Sequence, residues 1–66
     1  MKYSVFVTSE RPIEQLIEFY TETLQEAIDE AKSIHIAESF RVYDLDDFNG
    51  KCAIYRAKRN EKREWV

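Results

Sequence analysis

Glycine, proline, cysteine and histidine each occur once in this 66-residue chain, and each shortage excludes something. A lone Cys52 cannot form an internal disulfide, so no covalent framework supports the fold, and a cytoplasmic location is the expectation. With one imidazole (His35) and one thiol, the Cys/His spacing of a zinc site is absent, and no metal or other cofactor is expected. A single Gly50 leaves no loop able to bring several backbone amides against a phosphate, which excludes P-loops and dinucleotide-binding turns. The opening MKYSVFVTSE turns polar at Thr8, and nowhere do roughly 20 apolar residues run together as a bilayer span requires. A soluble protein with no membrane partner is expected.

What is present is an apolar fraction of 44%, an aromatic fraction of 14% and a net charge of −3. That composition folds. A chain of this length makes one domain that buries only about 60% of its unfolded surface, so aromatic side chains must supply much of a thin core. Charge is segregated. Residues 1–50 carry eleven acidic and four basic side chains, a balance of −7, whereas residues 51–66 carry six basic and two acidic, a balance of +4. The expected organisation is one α+β domain over residues 1–57, followed by a basic, flexible tail over residues 58–66.

The stretch from Thr23 to Ile36 reads as an amphipathic helix. Leu24, Ala27, Ile28, Ala31, Ile34 and His35 fall on one side, and Gln25, Glu26, Asp29, Lys32 and Ser33 on the other. Thr23 with Glu26 matches a capping box, which satisfies backbone N–H groups that have no partner within the helix. Tyr3, Val5 and Val7 alternate with Ser4, Phe6 and Thr8 as a strand, and a turn follows at residues 9–12.

Residues 13–22 admit two readings. Ile13, Leu16, Ile17 and Tyr20 extend the helical stripe backwards, which gives a βαββ alternative with one long helix from about 12 to 36. Phe19, Tyr20 and Thr21 favour a strand, and a capping box at Thr23 would be wasted inside a helix. We therefore expect a strand over 14–21 with Ile17 and Phe19 inward. Phe40 to Tyr43 alternate as a third strand, Asn49-Gly50 suits a tight hairpin, and residues 51–57 return as a fourth. The expected fold is ββαββ, one small antiparallel-rich four-stranded sheet with the helix packed on one face. Over residues 2–57 this element order is similar to that of small immunoglobulin-binding β-grasp domains, a likeness of architecture that transfers no function.

Few residues suggest chemistry. His35 with Cys52 would need contact and an orienting partner to act as a base–nucleophile pair. The acidic turn of Asp44, Asp46, Asp47 and Asn49 fails the calcium-loop pattern, because Leu45 stands where the first ligand belongs and Arg56 where the bidentate Glu belongs. No catalytic site is expected. The helix carboxylates Glu22, Glu26, Asp29 and Glu30, with Asp44, Asp46 and Asp47, form the expected partner-binding surface. The sequence thus reads as a non-enzymatic protein-binding module, an inhibitor or regulator of phage or mobile-element type, meeting a partner with a basic surface. A homodimer joined through sheet edges is a further option. The alternative is nucleic-acid binding through Arg56, Lys58, Arg59, Lys62 and Arg63, with Tyr43 or Tyr55 stacking bases from the sheet's open face.

Overall fold

The computed structural model describes residues 2–10, 13–46 and 52–66. Strands β1 (Tyr3–Ser9) and β2 (Gln15–Thr21) come first, then helix α1 (Leu24–Ser33), then β3 (Ser39–Asp44) and β4 (Tyr55–Lys58). This is the ββαββ order of a small α+β fold. The long-helix alternative is overturned, because residues 15–21 pair with β1, setting Ile17 opposite Val7 and Phe19 opposite Val5. The helical spacing in this segment comes from mixing two strand faces. Ile17 and Phe19 point under the helix, whereas Leu16 and Tyr20 point the other way and are exposed.

The sheet order is β2-β1-β3-β4, and every neighbouring pair is antiparallel. β2 and β3 therefore run in the same direction on either side of β1. Residues 22–38, which contain α1, supply the long connection that two parallel strands require. The helix lands on the face carrying Val5, Val7, Phe40 and Val42, all fully buried. Ala27 and Ala31 are its buried residues, and their small side chains let the helix axis lie close to the strands. Leu24, Ile28, Ile34, Ile17 and Phe19 close the margins of this core. Phe40 sits at its aromatic end, stacked on Tyr55 (5.8 Å, 19°) and met edge-on by Trp65 (5.1 Å, 71°).

Thr23 caps the helix in an extended conformation (φ −127°, ψ 155°). Its hydroxyl accepts the Glu26 N–H at 3.1 Å and donates to the Glu26 carboxylate at 3.1 Å. The carboxylate thus holds the capping hydroxyl. The helix ends at Ser33, three residues short of the expected Ile36, with Ile34 extended (φ −76°, ψ 109°). Ile34 and Ile36 are β-branched and resist helix continuation, and the chain must reverse there to enter β3. His35 is accordingly exposed in that turn and does not join the apolar helix face.

β4 begins at Tyr55, later than expected, and continues through Lys58. Register with β3 sets its phase: Tyr55 lies opposite Val42 and Ala57 opposite Phe40, so Tyr55 faces the helix, contrary to the open-face position expected of it. The Asn49-Gly50 hairpin and Asp47 lie outside the described residues.

A flexible tail is expected over residues 58–66, but Lys58 belongs to β4 and residues 59–66 fold back along it. Arg59 bridges to Trp65, the Lys58 N–H donates to the Val66 carbonyl at 3.3 Å, and the Val66 N–H returns to Lys58 at 2.9 Å. Asn60 nucleates the reversal, its side-chain oxygen accepting the N–H groups of Lys62 and Glu64 at 2.9 Å each.

The core and cap differ enough in energy to be ranked by urea unfolding. Thr23→Ala is expected to cost about 1 kcal/mol and to lower the midpoint of a still-folded domain, with Thr23→Ser close to wild type. Phe40→Ala is expected to cost about 3–5 kcal/mol, comparable with a total stability on the order of 3–10 kcal/mol for this length, and to leave the chain largely unfolded. Equal, small losses in both variants would remove Phe40 from the centre of the core.

Candidate functional site

Two surfaces of opposite chemistry emerge from this packing, one on each side of the sheet. On the helix side, Glu22, Glu26, Asp29 and Glu30 are all exposed. Asp29 accepts a hydrogen bond from the Gln25 side chain at 2.8 Å, and Glu26 holds the cap. Glu26, Asp29 and Glu30 make no ion pair with any described residue. Tyr3 pairs with both Thr21 and Asp44, so the helix N-terminus and the end of β3 share one end of the sheet. Asp44 and exposed Asp46 are therefore brought to the Glu22–Glu26 end of the helix, and the Asp44 carboxylate is occupied by the Asp46 N–H at 2.9 Å. Asp29 and Glu30 lie further along the helix.

The other side of the sheet carries no helix among the described residues. Alternation and register fix its contents as three cross-strand rows. The first row runs Leu16, Thr8, Ser39, Lys58, and the second runs Glu18, Phe6, Arg41, Arg56. The third runs Tyr20, Ser4, Tyr43. Phe6 and Tyr43 meet edge to face (5.4 Å, 83°), with the Arg41 guanidinium 6.0 Å from the Tyr43 ring centre. A shallow cleft of about 420 Å³ lies among Phe6, Glu18, Tyr20, Tyr43 and Asp44. A second, of about 410 Å³, lies along β3 and β4 beside Arg41, Arg56 and Lys58.

The expected nucleic-acid contacts are dispersed by the fold. Arg56 and Lys58 are exposed on the open face, and Lys62 is exposed in the terminal turn. Arg59 is engaged internally: its Nε donates to the Ala37 carbonyl at 2.7 Å and its Nη1 to the Arg63 carbonyl at 2.9 Å, and its guanidinium lies 4.3 Å from the Trp65 ring centre. Arg63 pairs with Glu38 at 2.6 Å. Tyr55 is taken by Phe40, so among the two expected tyrosines Tyr43 alone faces outward from the open sheet. Phe6 and Arg41 were missed as site residues, although the alternation of β1 and β3 was visible. What was missing was the register that sets them side by side.

His35 and Cys52 are both exposed, and no hydrogen bond joins them. Among the described residues no group of three or more His, Cys, Asp or Glu side chains could hold a metal ion, and no helix is long and apolar enough to cross a membrane. No protein-family model, curated protein or solved structure matches this chain.

Glu18 gives the aromatic cleft a measurable electrostatic mark. The Tyr20 hydroxyl donates to its carboxylate at 2.6 Å, and this hydrogen bond, with the nearby negative charge, raises the Tyr20 pKa above the ordinary tyrosine value. A raised acid pKa means the folded state holds the proton more tightly. The effect is therefore fully present below the ordinary tyrosine range and is lost as pH rises through the shifted value. Tyrosinate absorbance in Glu18→Gln is expected to show one tyrosine titrating at lower pH than in wild type; superimposable curves would break the assignment.

Proposed function

We propose that this chain is a non-enzymatic protein-binding module, an inhibitor or regulator, that docks the outer face of α1 on a basic surface of another protein. The observation that carries the reading is that Glu26, Asp29 and Glu30 project outward from the helix without a cationic partner among the described residues. Glu26 and Glu30 are one turn apart, where like charges destabilise a helix by a few tenths of a kcal/mol. A basic partner would turn that repulsion into attraction. It would also be steered to the site by the negative field, with on-rates that fall as salt rises. Asp44 and Asp46 extend the patch past the helix N-terminus. β2, with no described strand on its outer side, adds an unpaired sheet edge beside the helix. The same carboxylates would also serve solubility, so partner capture is the deciding observation.

The test is affinity capture from cytoplasmic extract of the native host at low and high salt. Wild type is expected to retain a basic protein at low salt and release it at high salt. The triple reversal of Glu26, Asp29 and Glu30 to Lys is expected to retain none, and the corresponding Gln variant an intermediate amount. A partner held equally by wild type and triple reversal would overturn the reading. A dimer in light scattering, with no other protein captured, would favour edge-to-edge self-association.

A further inference from the structure

We infer that the helix-free face of the sheet is a binding site for single-stranded nucleic acid, independent of the acidic helix. Arg41 and Arg56 stand directly opposite each other on neighbouring strands, an arrangement that like charges disfavour. Neither forms an ion pair with a described residue, and Lys58, one row away on the same face, adds a third cation. Three cations along one shallow cleft match a polyanion. An anion bridging the two guanidiniums would relieve their repulsion, and phosphate suits the planar fork of arginine.

The neighbouring cleft narrows the class of anion. Phe6 is next to Arg41 in the same row, and Tyr43 lies against both. Aromatic rings and guanidinium planes beside a line of cations stack bases while the backbone follows the charges. The acidic peptides and simple polyanions that would also answer three cations have no use for the rings. A base pair locked in a duplex cannot lay its face on a side chain, so the strand must be single.

The net charge of −3 does not oppose this placement. The helix carboxylates are exposed on the outer side of α1, with the helix and the sheet between them and this face, and solvent-exposed charges separated by more than roughly 8 Å are largely screened in physiological salt. Asp44 and Glu18 both line the aromatic cleft: Asp44 already accepts the Asp46 N–H at 2.9 Å, and Glu18, in the second row, is on β2, three strands from Arg56. At about 4.8 Å per strand the separation is some 14 Å, which directs phosphates toward β3 and β4 and leaves the bases over β1.

Fluorescence anisotropy with labelled twelve-nucleotide oligo-dT and oligo-rU tests the assignment over a salt series. Log affinity is expected to fall against log salt with a slope of about −2, from three phosphates at about 0.7 each. Arg56→Gln should weaken binding and flatten that slope by about 0.7. Tyr43→Ala, or Phe6→Leu where a milder change is needed, should weaken binding about ten-fold with the slope unchanged. The duplex of the same length should bind at least ten-fold less tightly than the single strand. Arg56 is exposed, and circular dichroism of its variant verifies that folding is untouched. Absence of binding at low salt, indifference to both Arg56→Gln and Tyr43→Ala, equal affinity for duplex, or displacement by an equal concentration of oligoglutamate would each overturn the inference. The triple reversal on α1 is expected to leave oligonucleotide binding in place, so failure of this site and failure of the helix-face reading are separable.

Discussion

One helix cannot cover both faces of a four-stranded sheet, and this constraint shapes the rest of the molecule. The covered face must collect the core, so Val5, Val7, Phe40 and Val42 all point to it. Ala27 and Ala31 bring the helix down onto them, where larger side chains would hold it off and open gaps that a core this small could not fill. The opposite face must meet water with the intervening residues of the same strands. It carries Thr8, Ser39, Arg41 and Glu18 beside Phe6 and Tyr43, and the paired rings shield part of each other's apolar surface.

Sheet edges present a second demand, because an unpaired strand edge invites association. On the β4 side the fold-back of residues 59–66 answers it, with Val66 pairing to Lys58 and Trp65 lying against Phe40. On the β2 side the outer edge has no partner strand among the described residues, and Ile13 and Leu16 are exposed there. The two edges are thus treated unequally.

Local signals were legible in the sequence, and the distant ones were not. Alternation in residues 3–8 and the Thr23 cap fixed β1 and the helix start. The preference of Phe19 and Thr21 for strands, with Ile17 and Phe19 inward, decided β2 against a helical periodicity that looked equally regular. The helix carboxylates followed from the same 3.6-residue period. The face of Tyr55 was not legible, because a strand's phase is set by its register with a neighbour, and β4 is aligned by Val42 opposite Tyr55 rather than by its own composition. The row Glu18, Phe6, Arg41, Arg56 draws one residue from each of four strands, so no window of sequence contains it.

The terminal segment shows why a charge run is an unreliable guide when read without its partners. Its cations divide by chemistry. Arg59 reaches the carbonyls of Ala37 and Arg63 with separate nitrogens while lying over Trp65, and Arg63 reaches Glu38. A planar guanidinium with five donors in a fixed fork can satisfy several acceptors and still stack on a ring, whereas a lysine ammonium is a compact, strongly hydrated point charge. Lys58 and Lys62, on the same short stretch, stay exposed. The acceptor on Ala37 lies 22 residues before Arg59, in the loop that closes the helix. Each carbonyl in that loop must find a donor once the helix has stopped, and the chain supplies the donor from its far end. What reads in sequence as a basic tail is therefore partly the hydrogen-bond complement of the turn after α1, and the charge left for a partner is what remains on β3, β4 and Lys62.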